Sequence, residues 1–234
     1  MKKILFVGFC SLFCFTTVIK AQEKKSFAGI SIGASIPTGD FGSTDLSNDK
    51  AGLAKTGLAL RLNYGYHFSK NFGGILIAKG NFNSIDMDAF RQQFSVPTGS
   101  GASYSVNTGS YKSGAVLVGM FADMPISADE KFSFEVRALA GYQNSTIPEF
   151  NVTMSIPSVG TIDFAQESYS AGSFAYTFGA GFKYKVGNNL ALKLNGDYNG
   201  ANPSFKIEDQ NNQTQTYKQP WNTVDVTVGL TIGF

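Results

Sequence analysis

Twelve residues alternate without a break at Thr223 to Phe234, TVDVTVGLTIGF. Val224, Val226, Val228, Leu230, Ile232 and Phe234 fall on one face; Thr223, Asp225, Thr227, Gly229, Thr231 and Gly233 fall on the other. A period of two puts successive side chains on opposite sides of an extended strand. Seven more segments carry strand patterns. Ser26 to Ile36 groups Ala28, Ile30, Ile32, Ala34 and Ile36, and Thr56 to Ser69 groups Leu58, Leu60, Leu62, Tyr64, Tyr66 and Phe68. Phe72 to Phe82 is less regular, because Ile75 and Ile77 share a face with Lys79. Ser113 to Asp123 is apolar on both faces and gives no orientation. Phe132 to Gln143, Ser173 to Val186 and Leu190 to Asn199 alternate cleanly again. The count is eight, and it is even.

The connections narrow the architecture. Three are tight: SKN (Ser69 to Asn71), MPISADEK (Met124 to Lys131) and GNN (Gly187 to Asn189). The other four, Thr38 to Lys55, Asn83 to Lys112, Asn144 to Gly172 and Gly200 to Asn222, are long and polar. A compact soluble domain seldom carries four such loops, whereas short turns at one end and long loops at the other mark outer-membrane barrels.

Alternation alone also suits a soluble eight-stranded barrel with its bulky face turned inward. Two features oppose that. The smaller face is mostly Gly, Ala, Ser and Thr with a few mid-strand charges, which suits a lumen too narrow for bulk. The bulky face gathers Tyr64, Tyr66, Phe68, Phe132, Phe134, Phe182, Tyr184 and Phe234 near the short-turn end, the belt that a membrane interface selects. The expected fold is all-β: an eight-stranded antiparallel transmembrane β-barrel.

The start of the chain agrees with export. Lys2 and Lys3 precede an apolar run from Ile4 to Ile19, and Ala21 precedes Gln22, which reads as a signal peptide (1–21) cleaved before a barrel domain (22–234). Cys10 and Cys14, the only cysteines, lie inside that segment, so the barrel has no thiol chemistry. Loss of Lys2, Lys3 and Lys20 leaves 16 basic against 17 acidic residues, and no basic surface for nucleic acid.

The signal segment, the eight strands, the turn asymmetry and the closing GLTIGF resemble the small outer-membrane β-barrel family of Gram-negative bacteria, the OmpA/OmpX-like porin superfamily. The resemblance covers Ser26 to Phe234. It implies residence in outer-membrane lipid after export through the periplasm. It also implies that Val228, Leu230, Ile232 and Phe234 form the signal read by the barrel-assembly machinery.

The residues that could carry a task are the charges on the small face: Arg61, Lys79, Glu135, Arg137, Lys183, Lys193, Asp197 and Asp225. Closing the GNN hairpin symmetrically pairs Lys183 with Lys193, two ammonium groups that repel; Glu135 and Asp225 are the carboxylates expected to separate them. Such charges either line a selective pore or fill the lumen as a salt-bridged plug. Eight strands leave room for side chains and little else, which favours the plug. Catalysis lacks parts: the one histidine, His67, sits beside a tight turn, and no metal, thiol or phosphate-loop motif occurs. No cofactor is expected. The long links carry Phe90, Phe94, Tyr104, Phe150, Phe164, Tyr169, Tyr217 and Trp221, read as anchors at the outer interface or contacts for a partner. The expected function is a structural or surface-interaction barrel whose four loops meet an extracellular ligand or a neighbouring membrane protein. The alternatives are a narrow porin and an accessory subunit of a secretion or assembly complex.

Overall fold

Eight long strands hydrogen-bond into a closed ring. The computed structural model describes residues 25–45, 47–89, 103–157, 160–208 and 214–234, and the expected signal segment lies outside them. In chain order the strands are β1 (Ser26–Thr38), β2 (Gly57–His67), β3 (Phe72–Ser84), β4 (Ser103–Thr108), β5 (Ser110–Pro125), β6 (Phe132–Ile147), β7 (Phe150–Ile156), β8 (Gly160–Gln166), β9 (Tyr169–Lys185), β10 (Leu190–Ala201), β11 (Ser204–Glu208), β12 (Thr214–Lys218) and β13 (Trp221–Gly233). The barrel order is β1-β13-β10-β9-β6-β5-β3-β2, all antiparallel, with β2 returning to β1.

Closure falls to β1 and β13. Phe27 pairs with Gly233 and Thr38 with Asn222, and every residue between them is in register. Below the ladder, Phe234 N–H donates to Ser26 O at 2.9 Å and Ser26 N–H to Phe234 O at 3.2 Å. A free strand edge in lipid would leave backbone groups unsatisfied at several kcal/mol each, so the ring has to be complete.

Burial is inverted relative to a water-soluble protein. Ile30, Leu62, Val118, Phe178, Leu194 and Val228 are exposed on the outer face, while Arg61, Glu135, Arg137, Lys193, Asp197 and Asp225 are buried inside. Only an apolar solvent around the ring makes that arrangement stable. β5 is apolar on both sides because Val116, Val118 and Met120 face outward while Ala115, Leu117 and Phe121 face the lumen. In β3, Ile75, Ile77 and Lys79 all point inward, and Leu76 and Phe82 outward.

The long links are more ordered than polar loops. β4, β7 and β8 form a three-stranded sheet in the order β4-β7-β8, and β11 and β12 form a hairpin. The first sheet continues the barrel wall: β5 pairs with β6 up to Lys112↔Thr146, and β4 with β7 from Thr108↔Phe150. The break falls at Gly109 and at Pro148, which has no N–H to give to a ladder. At this end seven of the eight strand segments expected from the sequence stop short of the structure's by two to four residues, because polar outward residues such as Asn144, Thr146 and Ser170 remain in the ladder. The link from β1 to β2 begins with a 3-10 helix at Gly39–Gly42 and folds across the barrel mouth.

Candidate functional site

The lumen is filled in layers. At the short-turn end, Phe27 of β1, His67 of β2 and Phe121 of β5 form an aromatic floor, with ring centroids 5.4 Å (Phe27–Phe121), 4.9 Å (His67–Phe121) and 5.4 Å (Phe27–His67) apart. The His67 Nδ1 lies 3.4 Å from Lys25 O, and Nε2 lies 3.8 Å from the Asp123 carboxylate.

Above the floor sits the charged layer. Arg137 of β6 meets Asp197 of β10 at 2.7 Å and Glu135 of its own strand at 2.9 Å. Arg61 of β2 reaches Asp197 from the opposite wall at 2.7 Å. Lys193 of β10 meets Glu135 at 2.6 Å, and Lys183 of β9 meets Asp123 of β5. Higher up, Lys79 of β3 meets Asp225 of β13 at 2.6 Å. All eight charges singled out in the sequence thus lie inside the barrel. Asp225 serves Lys79, however, and not the Lys183–Lys193 pair that it was expected to separate. Asp123 takes that place. The sequence missed it because β5 offers no polar contrast between its faces. Reading back through the turn from β6 finds it, since Asp123 pairs with the inward Glu135.

An amide and hydroxyl layer follows. Asn81 donates to Ser35 Oγ and to Asp225 Oδ1, both at 2.8 Å. Asn83 donates to Ser35 O and Lys55 O at 3.0 Å, and Thr177 donates to Asn199 Oδ1 at 2.7 Å. The cavity left among Arg61, Lys79, Thr177, Asp197, Asn199 and Asp225 measures about 10 Å³, room for a single water.

The outer mouth is closed by the β1–β2 link. Phe41 is fully buried; it stacks on Trp221 at 4.3 Å and 25°, and meets Tyr111 at 5.2 Å and 70°. Phe205, also fully buried, lies 6.4 Å from Trp221 between ring centroids. The link is held from the rim: Tyr111 Oη donates to Gly52 O at 2.7 Å, Gln219 Nε2 to Lys50 O at 2.9 Å, and Tyr217 Oη to Asp49 O at 3.3 Å. Trp221 therefore belongs to the lumen and not to the membrane interface. Phe90 and Phe94 lie outside the described residues. Nothing local in a Gly-, Ser- and Asp-rich link marks Phe41 for burial, so the sequence did not reveal it.

On the outer face, Tyr64, Tyr66, Phe68, Phe132, Phe134, Phe182, Tyr184 and Phe234 form a girdle at the short-turn end. Phe132 stacks on Phe182 at 5.7 Å, Phe134 meets Phe182 at 5.3 Å, and Tyr64 meets Phe234 at 6.4 Å. Val228, Leu230 and Ile232 point outward from β13 between β1 and β10. Toward the long links, Tyr142, Phe174, Tyr176, Phe178 and Tyr198 make a second outward aromatic group. Among the described residues, no group of three His, Cys, Asp or Glu side chains is placed to hold a metal ion.

The model of the outer membrane protein beta-barrel domain family matches residues 7–234. Among solved structures, Neisserial surface protein A is 12% identical, with a TM-score of 0.49, over 92% of this chain and 100% of that one. Ail, the attachment invasion locus protein of Yersinia pestis, is 16% identical, with a TM-score of 0.44, over 90% and 99%. OprG of Pseudomonas aeruginosa is 12% identical, with a TM-score of 0.47, over 93% and 99%. A comparison with curated proteins finds no match.

Proposed function

The chain belongs to the outer membrane protein beta-barrel domain family, and from that membership we propose that it acts as a closed barrel presenting its outer links to contacts outside the cell, with neither conductance nor catalysis. As a member of that family it sits in the lipid of the outer membrane. The observation that carries the reading is the filled lumen: cross-barrel ion pairs at 2.6 to 2.7 Å lie between an aromatic floor and the Phe41 stopper. A hydrated ion has no path through it. What remains available is the surface beyond the mouth, built from the β1–β2 link, the β4-β7-β8 sheet and the β11–β12 hairpin. Purified protein in planar bilayers should give no steady channel current. A stable wild-type conductance would overturn the reading in favour of a narrow porin.

One observation favours a protein as the contact. Val106, Val152 and Phe164 form a row across β4, β7 and β8, and Phe164 at its edge is 57% exposed. An exposed apolar edge outside the barrel suits a neighbouring protein better than water. Phe164→Ser should then lower recovery of co-purifying membrane proteins from mild-detergent extracts, with the barrel intact.

A further inference from the structure

The stopper at the outer mouth fills a space walled by aromatic side chains from other elements. Trp221, Tyr111 and Phe205 come from β13, β5 and β11, and Trp221 links them: Tyr111 lies 5.4 Å from it at 90° and Phe205 6.4 Å from it, while Phe41 meets Trp221 and Tyr111. Phe41 comes from a link in which Thr44, Asp45, Ser47, Asp49 and Lys50 are exposed and, of the other side chains, Ala54 is buried. It enters just after Gly39, which takes a left-handed backbone (φ 58) that glycine accepts without strain. Phe41, the buried Ala54 that bridges to Ile85, and a rim of hydrogen bonds hold the link down, over walls that belong to the barrel and its hairpin extension.

We propose that the Phe41 slot is an exchangeable binding site, with Phe41 its resident occupant and a small neutral aromatic solute its ligand. Three features define the ligand. The slot accepts a flat ring, because Trp221 stacks face to face with what lies there and Tyr111 meets it edge on. It does not favour a cation, because the lumen below holds Arg61, Lys79, Arg137, Lys183 and Lys193 against Asp123, Glu135, Asp197 and Asp225, an excess of one positive charge. It does not favour an anion, because the nearest walls are aromatic faces, which carry negative quadrupole density. The floor beneath, Asn81, Asn83, Ser35 and Thr223, is polar and sealed, so a bound ring stays at the mouth and does not pass. Ligand entry lifts the link, which turns occupancy of the slot into movement of an outer loop.

Trp221 is the only tryptophan in the chain and lies in the slot wall, so its fluorescence reports the site directly. The probe is phenol, with cyclohexanol as a match in size that has no aromatic face. In Phe41→Ala, phenol should shift Trp221 emission saturably, and cyclohexanol should require roughly tenfold more, the ratio that the lost ring stacking implies. In the otherwise wild-type barrel a spin label at Ser47→Cys should become more mobile as phenol saturates. Tyr111→Phe, which removes the bond to Gly52 O without changing the wall, should bring that mobility in at lower phenol concentration. If Phe41→Ala does not fold, the two label measurements decide alone. An absent or non-saturable phenol response in a folded Phe41→Ala barrel overturns the site. A Ser47 label that ignores phenol, with or without Tyr111→Phe, overturns the exchange.

Discussion

Lys183 and Lys193 face each other directly across β9 and β10, yet each has its own carboxylate, Asp123 from β5 and Glu135 from β6. Two ammonium groups at that spacing would repel, so the pair is tolerable only because the ring brings two further strands to it. Glu135 also serves Arg137 and is almost fully buried.

Removing Glu135 should therefore leave Lys193 without its carboxylate and Arg137 with Asp197 alone. Breaking a buried pair costs about 3–5 kcal/mol, an upper figure where water can enter. Glu135→Ala should lower the denaturant midpoint of the detergent-folded barrel clearly more than Glu149→Ala, which alters an exposed side chain between β6 and β7. Equal midpoints would show that the ion pairs contribute little.

The base of the mouth link has its own pH dependence, outside the membrane-spanning strands. Asp86 accepts from Ala89 N–H at 3.1 Å and from Asp88 N–H at 3.0 Å, and meets Lys55 at 3.2 Å. Its carboxyl is held below the ordinary range, mainly by the Ala89 N–H and then by Lys55. A depressed folded value means that the carboxylate stabilises this corner above the usual Asp pKa of ~3.9. The benefit is lost as pH falls through the lower folded value. A carboxyl titration followed by NMR should find a midpoint below that of a free Asp, and Lys55→Met should restore it only in part. An ordinary midpoint in the wild-type protein would refute the capping role.

What the sequence disclosed follows from where contrast exists. β13 and β10 alternate bulky against small, because lipid lies on one side and a narrow lumen on the other, so their inward faces were readable, as was the pairing of Lys183 with Lys193, although the partner of Asp225 was not. β5 meets apolar neighbours on both sides, lipid at Val118 and lumen at Leu117, and its orientation, with Asp123, could not be read. Phe41 was hidden for a different reason. Its burial comes from Trp221, Tyr111 and Phe205, which are remote in sequence, and the link around it has no period to betray an inward side chain.

The glycines separate open lipid face from packed interior. An added Cβ at Gly114 or Gly196 meets nothing within 4 Å, whereas at Gly65 it would lie 2.2 Å from the Phe27 ring. Gly114→Ala and Gly196→Ala should be neutral or stabilising by roughly 0.5–1 kcal/mol, since alanine loses less backbone freedom in a strand. Gly65→Ala must move the aromatic floor and should cost about 1–3 kcal/mol, the usual range for overpacking. Denaturant midpoints measured side by side test the contrast, and a neutral Gly65→Ala would mean that the floor is loosely packed.

Orientation in the membrane is the premise on which any contact of the links rests. The inner turns are tight: Phe68 N–H and Ser69 N–H both donate to Phe72 O, and Val186 and Gly187 N–H both donate to Leu190 O. The opposite end carries the mouth link, the extra sheet and the extra hairpin. Outer-membrane barrels keep short turns on the periplasmic side and longer links outside. A cysteine at Ser47, exposed on the mouth link, should react with a membrane-impermeant maleimide on intact cells. A cysteine at Asn188, in the turn between β9 and β10, should react only after the outer membrane is permeabilised. The expected loss of Cys10 and Cys14 with the signal segment leaves no competing thiol. Labelling of Asn188→Cys on intact cells, with Ser47→Cys protected, would invert the barrel and place the mouth, its stopper and the apolar edge at Phe164 in the periplasm.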